Sequence, residues 1–171
     1  DPSSGVQQVT VNGTPVSVVS WEQFLIVTSL PETGAGSAGP VVVTAGDTPL
    51  LTAARVRRLL AAHRGGATVA AFEASDPTGY GRIVPGIGIV EEAACTEYQR
   101  AIRTVNSGLY VFDAAYLRAK LPALLPHPPK DELWLTDLVT GESAVVDTFQ
   151  ESEFLGVNDK GQLAEARDVL R

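Results

Sequence analysis

The spacing of apolar residues along the chain predicts a β-sheet that is covered by helices. Residues 6–11 intersperse valine with polar residues, and an Asn-Gly pair at 12–13 separates them from a β-branched run at 16–19, which predicts a hairpin. The run Val41-Val42-Val43-Thr44 is continuous and β-branched, as is typical of a strand buried on both faces of a parallel sheet. We expect this strand to be central in the fold.

A helix is predicted directly after that strand. Thr52 is a suitable N-cap, and from there to about His63 valine and leucine recur on one face while arginine recurs on the other. The segment Ala67–Glu73 is predicted to be a second buried strand, which completes a β-α-β unit. The remaining predicted elements are strands at 21–28, 83–84, 87–90, 107–112 and 144–148, helices at 98–103, 114–125, 131–139 and 161–171, and a loop at 30–40.

Composition indicates a globular domain. The 171 residues suffice for one domain or most of one, and 44% hydrophobic with 19% charged residues predicts a packed core rather than disorder. No apolar stretch approaches the ~20 residues of a membrane-spanning helix, so no membrane partner is expected. The net charge of −7 and the scattered basic residues argue against a nucleic-acid partner, which would require clustered cations.

Two further features concern the location and the beginning of the chain. Cys95 is the single cysteine, which excludes an internal disulfide, and the chain opens without a signal-like segment. We therefore expect a cytoplasmic location. Because the chain contains no methionine, we also expect its natural N-terminus to be missing or replaced.

Asp47 is the first candidate for chemistry, because it follows the predicted central strand. Acidic residues at the carboxyl end of a buried parallel strand lie where open α/β sheets bind ligands. Mg²⁺ prefers oxygen ligands and is commonly held by one or two protein oxygens together with substrate phosphates, and Asn158 offers a second such oxygen. The alternative is that Asp47 only forms a turn before Thr48-Pro49, and spacing alone does not decide between the two.

A glycine-rich loop and a carboxylate pair are the next candidates. Gly79-Tyr80-Gly81-Arg82 would let a ligand approach the backbone closely, although an ordinary glycine turn has the same composition. Glu91 and its acidic neighbour end a predicted hairpin strand, where adjacent carboxylates most often form a solvated edge. His63, His127 and Cys95 lie apart in sequence and indicate neither a metal cluster nor a catalytic triad.

Six segments of the chain resemble, in the same order, the motifs of one family, the sugar-nucleotide pyrophosphorylases. They are VVVTAGDTPLL at 41–51, DPTGYGRIV at 76–84, IVEE at 89–92, QRAIRTVNSGLYVFDAAYLRAKL at 99–121, ELWLTD at 132–137 and FLGVNDKGQLAEA at 154–166. Their spelling is most similar to the branch of bacterial N-acetylglucosamine-1-phosphate uridyltransferases, in which this domain is often the N-terminal part of a bifunctional enzyme. The resemblance covers residues 41–171.

This resemblance implies a fold and a reaction. The fold is a three-layer α/β domain of the GT-A-like (Rossmann-like) type over residues 41–171, preceded by a divergent or replaced segment at 1–40. The reaction joins UTP to N-acetylglucosamine 1-phosphate, forms UDP-N-acetylglucosamine for peptidoglycan and lipopolysaccharide precursors, and releases pyrophosphate. A homotrimer is implied if the parent protein carries a C-terminal acetyltransferase domain.

The resemblance also implies roles for individual residues. Asp47 and Asn158 would hold a catalytic Mg²⁺, and the backbone at Ala45 and Gly46 would lie near the nucleoside. The N-acetylglucosamine moiety would be contacted by Gly81, Glu91 and Asn106, with Thr136 nearby.

The chain departs from the family pattern in its first forty residues and at one later position. The family's glycine-rich LAAGxGTRM loop and PK lysine, which hold the triphosphate, have no counterpart there, and Ala45 stands where the family has tyrosine. One interpretation is a non-catalytic GT-A-like scaffold that serves binding or assembly. The other, which we favour, is that the chain is a portion of a normal enzyme.

Overall fold

The computed structural model describes residues 9–11, 14–21, 24–28, 39–48, 50–128, 131–154, 156–157, 161 and 167, with side chains described from residue 39 onward. The strands are β1 (Val9–Val11), β2 (Thr14–Trp21), β3 (Phe24–Thr28), β4 (Pro40–Ala45), β5 (Ala67–Glu73), β6 (Arg82–Val84), β7 (Gly88–Val90), β8 (Thr104–Asp113), β9 (Pro126–His127), β10 (Glu132–Leu133) and β11 (Ala144–Phe149). The helices are α1 (Ala53–Ala62), α2 (Glu97–Arg100) and α3 (Ala114–Lys120), with 3-10 segments at Glu92–Ala94, Leu121–Ala123, Leu135–Leu138 and Glu151–Glu153.

Nine of the described strands form one sheet, whose main path runs β1-β2-β3-β4-β8-β5-β11, with β6 joined to β8 and β7 to β6. Every described pair in it is antiparallel except β5 with β11. The predicted strand at 41–44 is present as part of β4, but it is antiparallel to both β3 and β8. The prediction of a parallel sheet at this strand was therefore wrong. A continuous β-branched run indicates that a strand is buried on both faces. Because a central antiparallel strand covered by helices is buried in the same way, the run does not indicate strand direction.

The predicted β-α-β unit is present with an additional strand inserted in it. Thr52 caps α1 by accepting a hydrogen bond from Arg55 N–H at 3.4 Å, and Leu59 is completely buried. Strands β4 and β5 are each antiparallel to β8, so they run in the same direction with β8 between them. Helix α1 thus connects two strands of like direction, and their carboxyl ends lie at the same edge of the sheet.

Alternate residues of the central strands pack into two cores, one on each face of the sheet. On one face the side chain of Leu59 from α1 packs with Phe72 and Val111, among others. On the other face Tyr116 from α3 packs with the neighbouring strand positions, including Phe112. Helices on both faces of a mixed sheet confirm the predicted three-layer α/β class. None of the helices in the described ranges is long and apolar enough to cross a membrane.

Several predicted helices are shorter than expected, and one is wrong. The helix predicted at 98–103 is α2, which has four residues, and the one predicted at 114–125 is α3 followed by a 3-10 segment. Residues 131–139 contain β10 and the 3-10 segment Leu135–Leu138 instead of a helix, because Glu132 pairs with His127 in a two-stranded ribbon. The loop predicted at 30–40 and the helix predicted at 161–171 fall almost wholly outside the described residues.

His63 fastens the end of α1 to the sheet. Its Nδ1 lies 2.8 Å from Thr68 Oγ1 and its Nε2 lies 3.1 Å from Asp113 Oδ1. The other carboxylate oxygen of Asp113 accepts a hydrogen bond from Gly66 N–H at 2.7 Å. The hydrogen bonds from His63 and Gly66 hold the pKa of Asp113 below its usual value. Such a carboxyl stabilises the fold above its unfolded-state pKa, and this stabilisation is lost as the pH falls through the folded-state pKa.

We expect Asp113→Asn to lower the free energy of unfolding near neutral pH and to have progressively less effect below about pH 4. Because the side chain is 46% exposed, solvent screening limits the loss to about 1 kcal/mol or less. Urea unfolding over a pH series measures the difference, with Asp147→Asn on the exposed face of β11 as the matched control. A loss that is independent of pH would contradict the assignment.

Candidate functional site

A bulge in β8 shapes the candidate site. The register between β8 and β5 shifts between the pairs Val69–Tyr110 and Ala71–Asn106, so that residues 107–109 form a bulge relative to β5. Gly108 has a φ of +77°, a left-handed conformation that favours glycine. Before the bulge β8 pairs with β6, and after it β8 pairs with β4. The bulge therefore lies where these strands meet.

The carboxyl end of β4 approaches this bulge closely. A Cβ atom on Gly108 would lie 3.5 Å from the Ala45 Cβ. Thr48 Oγ1 donates a hydrogen bond to the Ala45 carbonyl at 2.9 Å and closes the turn that follows β4. A Cβ atom on Gly46 would meet no atom within 4 Å. The structure thus leaves open space beside the backbone at Gly46, where the resemblance implies a nucleoside.

Asn106 connects the bulge to the glycine-rich loop. Its backbone N–H donates to the Gly81 carbonyl at 2.9 Å, and its Oδ1 accepts from Gly108 N–H at 3.0 Å. Its Nδ2 donates to the Tyr110 hydroxyl at 2.7 Å. Burial raises the pKa of the Tyr110 hydroxyl far above its usual range, and the nearby Glu91 charge adds to that rise, so the hydroxyl stays protonated. These contacts fix the orientation of the Asn106 carboxamide.

Glu91 lies directly against the backbone of Gly81. A Cβ atom on Gly81 would lie 2.9 Å from Ile89 Cγ2 and 3.3 Å from Glu91 Oε2, so a larger residue would displace the Ile89 side chain and crowd the carboxylate. Glu91 is half-buried and follows β7, which pairs with β6 and so returns the chain to the loop. The contact with Gly81 does not fit the alternative of a solvated acidic edge. The structure therefore brings Gly81, Glu91 and Asn106 together.

Asp47 lies in the turn after β4 with an exposed side chain. Its carbonyl accepts a hydrogen bond from Val157 N–H at 2.9 Å, which holds the residue before Asn158 against this turn. The pKa of the nearby Tyr80 hydroxyl is raised by burial, then by the charges of Glu151 and Asp47. Asn158 lies outside the described residues, so the proposed Asp47–Asn158 pair stays a prediction.

The donor set at this turn fits a divalent cation that is held mainly by its substrate. Mg²⁺ needs only one or two protein oxygens when phosphates and waters supply the rest, and the Asp47 carboxylate is an accessible oxygen donor. Within the part of the chain that the structure describes, no group of three His, Cys, Asp or Glu residues could hold a metal ion. A self-sufficient protein cage for the ion is therefore not seen among those residues.

Thr136 is buried in the 3-10 segment Leu135–Leu138, which packs beside β7. Ile89 N–H donates to the Val139 carbonyl at 3.2 Å, and Gly88 forms an isolated bridge with Thr140. These contacts tie the segment that carries Thr136 to the strand that leads to Glu91. No described contact joins Thr136 to the Gly81 loop itself.

Sequence reasoning assigned no role to three residues that shape the site. The Tyr110 hydroxyl accepts a hydrogen bond from the Asn106 carboxamide. Arg82 and Glu92 form an ion pair of 3.1 Å that stabilises the glycine loop. A signal for the bulge was present, because a glycine inside a strand pattern, here Gly108, often marks a bulge or a close backbone approach. Nothing in the spacing of Arg82 and Glu92 indicated that they would pair.

A cavity among the described residues lies away from these side chains. It has a volume of about 580 Å³ and is lined at the amino end of β5 by Gly66, Tyr116, Lys120 and Glu142, among others. Gly81, Glu91 and Asn106 meet near the carboxyl end of β5, where Ala71 pairs with Asn106. None of them lines this cavity, so we do not place the chemistry there.

No model of a protein family matches this chain. The proteins named Bifunctional protein GlmU are similar to it: the one from Thermobifida fusca is 44% identical over 146 residues, which cover 77% of this chain and 30% of the relative. The protein of this name from Cutibacterium acnes is 42% identical over 147 residues, which cover 74% of this chain and 35% of the relative. The one from Mycolicibacterium smegmatis is 44% identical over 149 residues, which cover 78% of this chain and 30% of the relative. The chain spans about a third of the length of these relatives.

Proposed function

Over about three-quarters of its length the chain is homologous to the bifunctional GlmU proteins, and from this relationship we propose that it is the sugar-binding portion of a uridylyltransferase. The enzyme would form UDP-N-acetylglucosamine from UTP and N-acetylglucosamine 1-phosphate and release pyrophosphate. The observation that supports this best is the convergence of Glu91 and Asn106 on the backbone of Gly81. It places a carboxylate, a carboxamide and a glycine backbone together, a combination suited to hydroxyl and amide groups of a sugar.

The reaction requires positioning rather than a protein nucleophile. A phosphate oxygen of the sugar 1-phosphate attacks the α-phosphorus of UTP, a new P–O bond forms, and the bond to the β-phosphate breaks as pyrophosphate leaves. A bound Mg²⁺ would supply charge neutralisation for the phosphates, held by Asp47 and Asn158. The protein groups would orient the sugar 1-phosphate for this attack.

Each residue of the site has a distinct part in this proposal. Asn106, whose carboxamide is oriented by Tyr110, would offer the sugar a polar group of defined direction. Glu91 would accept hydrogen bonds from sugar hydroxyls or from the acetamido N–H. The open backbone at Gly46, with Ala45, would lie beside the nucleoside, and Thr136 would border the sugar from the β7 side.

The cellular setting is also a proposal. Sugar nucleotides of this kind feed cell-wall precursor synthesis, so we place the activity in the cytoplasm. A homotrimer is proposed only for a parent protein that also contains an acetyltransferase domain. The second candidate function is a GT-A-like scaffold that binds a sugar nucleotide without turning it over, with Gly81, Glu91 and Asn106 serving binding alone.

We expect the parent chain to bind UDP-N-acetylglucosamine and Asn106→Ala or Glu91→Ala to weaken that binding. Each substitution removes a hydrogen-bonding group from a partner that is left buried, which costs about 1–3 kcal/mol. Isothermal titration calorimetry with UDP-N-acetylglucosamine measures the affinity, and thermal melts of the same proteins measure stability.

Glu97→Ala serves as the matched control, because Glu97 is exposed on α2 and lies apart from Gly81 in the chain. Its affinity should equal that of the parent. If the parent shows no binding, the sugar site is refuted. If the variants bind as tightly as the parent and only melt at lower temperature, Asn106 and Glu91 serve stability instead.

A further inference from the structure

Arg82 is a buried cation at the end of the glycine loop, Gly79 to Arg82. The residue is 1% exposed, and one guanidinium nitrogen, Nη1, donates both to the Tyr80 carbonyl and to Glu92 Oε2, the latter at 3.1 Å. Its Nη2 donates to the Arg100 carbonyl at 3.5 Å. Its Nε is buried and has no hydrogen-bond partner among the described residues. The Arg82 side chain thus contacts the loop through Nη1 while its Nε stays buried without a hydrogen bond.

Glu92 binds the opposite end of the same loop. Its Oε2, which pairs with Arg82, also accepts a hydrogen bond from Gly79 N–H at 2.5 Å. The Gly79 N–H and the Arg82 guanidinium hold the pKa of Glu92 below its usual value, so the carboxylate is ionised near neutral pH. Arg82 and Glu92, which we call the latch, therefore connect the first and last residues of the loop and the carbonyl between them.

The latch acts on a loop that is otherwise held at Tyr80, whose ring packs edge-on against Phe72 and whose N–H donates to the Pro77 carbonyl at 3.2 Å. Gly79 has a φ of +87°, and a Cβ atom there would meet no atom within 4 Å, so packing does not define this end. Gly81 is fixed by Asn106 on one side and by the Glu91 contact on the other. The two ends of the loop are thus held by different groups. The latch holds Gly79, and Asn106 and Glu91 hold Gly81.

We propose that Arg82 and Glu92 are positioning residues, whose ion pair sets the loop so that Gly81, Glu91 and Asn106 converge on the sugar. This inference rests on the proposed function. Neither residue needs to touch the ligand, because the latch acts through the Tyr80 carbonyl and the Gly79 N–H. An ion pair with a buried arginine contributes little net stability compared with apolar packing, whereas it defines one geometry. Removing one partner leaves the other charge buried and unpaired, so a single substitution should lower stability as well as affinity, and the affinities are compared between folded proteins.

The test uses Glu92→Gln, which retains the side-chain shape and removes the charge. We expect the dissociation constant for UDP-N-acetylglucosamine to rise about tenfold by titration calorimetry at a temperature well below the melting temperature, which itself falls because Arg82 loses its anion. Hydrogen exchange at the Gly79 amide should be faster in this variant. Glu97→Gln, an exposed carboxylate of α2, is the matched control and should match the parent in all three measurements.

A second variant, Arg82→Lys, keeps the positive charge and loses the planar guanidinium group. Arg82→Lys cannot reach the Tyr80 carbonyl and Glu92 with one planar group, so its affinity should lie between those of the parent and Arg82→Met. If Glu92→Gln binds like the parent while the parent binds well, the latch is refuted and the proposed function stands. If affinity falls only in proportion to melting temperature, the pair is merely structural and the inference is overturned. Absence of binding by the parent itself refutes both.

Discussion

Pyrophosphate release at least about a thousandfold slower than in an intact bifunctional relative is the expected result for the 171-residue chain acting alone. Nucleotidyl transfer is catalysed by positioning and by donors that stabilise charge on the phosphates, and loss of a single such donor costs about a hundredfold to a thousandfold. This chain contains neither the family's glycine-rich loop motif nor its lysine. A coupled assay of pyrophosphate with UTP, N-acetylglucosamine 1-phosphate and Mg²⁺ measures the rate.

The comparison needs a control for folding as well as for activity. The Mycolicibacterium smegmatis relative, assayed in parallel, gives the reference rate, and binding of UDP-N-acetylglucosamine by this chain shows that its site is intact. A rate close to that of the relative would mean that other residues replace the missing loop. Low turnover with retained binding would instead match a sugar-binding portion that lacks its triphosphate contacts.

The fold could be predicted from sequence where a pattern reports burial. Val41 to Thr44 and Ala67 to Glu73 are buried strands as predicted, because continuous apolar runs fit strands that are covered on both faces. The direction of the neighbouring strands could not be predicted, since β8 enters between β4 and β5 from residues that lie more than thirty positions downstream of β5. The pattern that indicates burial is contained in a short stretch of sequence, whereas strand order depends on residues that are far apart in the chain.

The failed helix at 131–139 has a similar origin. His127 stacks on Trp134 with ring centroids 3.7 Å apart, and its Nε2 lies 2.7 Å from Asp137 Oδ2. Asp131, with a φ of +54°, is in a conformation that no α-helix contains. These tertiary contacts override a helical pattern that was only a weak preference.

The candidate site was predicted by resemblance more than by pattern. Spacing alone could not separate a turn-forming Asp47 from a metal ligand, and it made Glu91 a solvated residue. The structure shows why the pattern was insufficient: Gly81 and Asn106 meet through a backbone hydrogen bond across twenty-five positions of sequence. Roles in binding sugar and metal remain predictions for these residues.

Gly88→Ala is expected to destabilise the fold by about 3 kcal/mol or more, the largest effect of any single substitution proposed for stability. Gly88 has a φ of +119°, which residues with a Cβ atom rarely adopt, and a Cβ atom there would lie 2.0 Å from the Val139 carbonyl oxygen. That oxygen is not free to move, because it accepts the Ile89 N–H at 3.2 Å. Urea unfolding of the parent and the variant measures the loss.

Gly86→Ala separates backbone strain from steric overlap. Gly86 also has a left-handed φ, +75°, but a Cβ atom there would meet nothing within 4 Å, so only a strain of about 1–2 kcal/mol is expected. The additional loss in Gly88→Ala then measures how tightly β7 is held against the segment that carries Thr136. Because β7 also leads to Glu91, a displaced β7 should weaken binding of UDP-N-acetylglucosamine in whatever fraction still folds. Equal losses in the two variants would mean that the chain at Val139 yields, and that β7 does not fix the distance between Thr136 and Glu91.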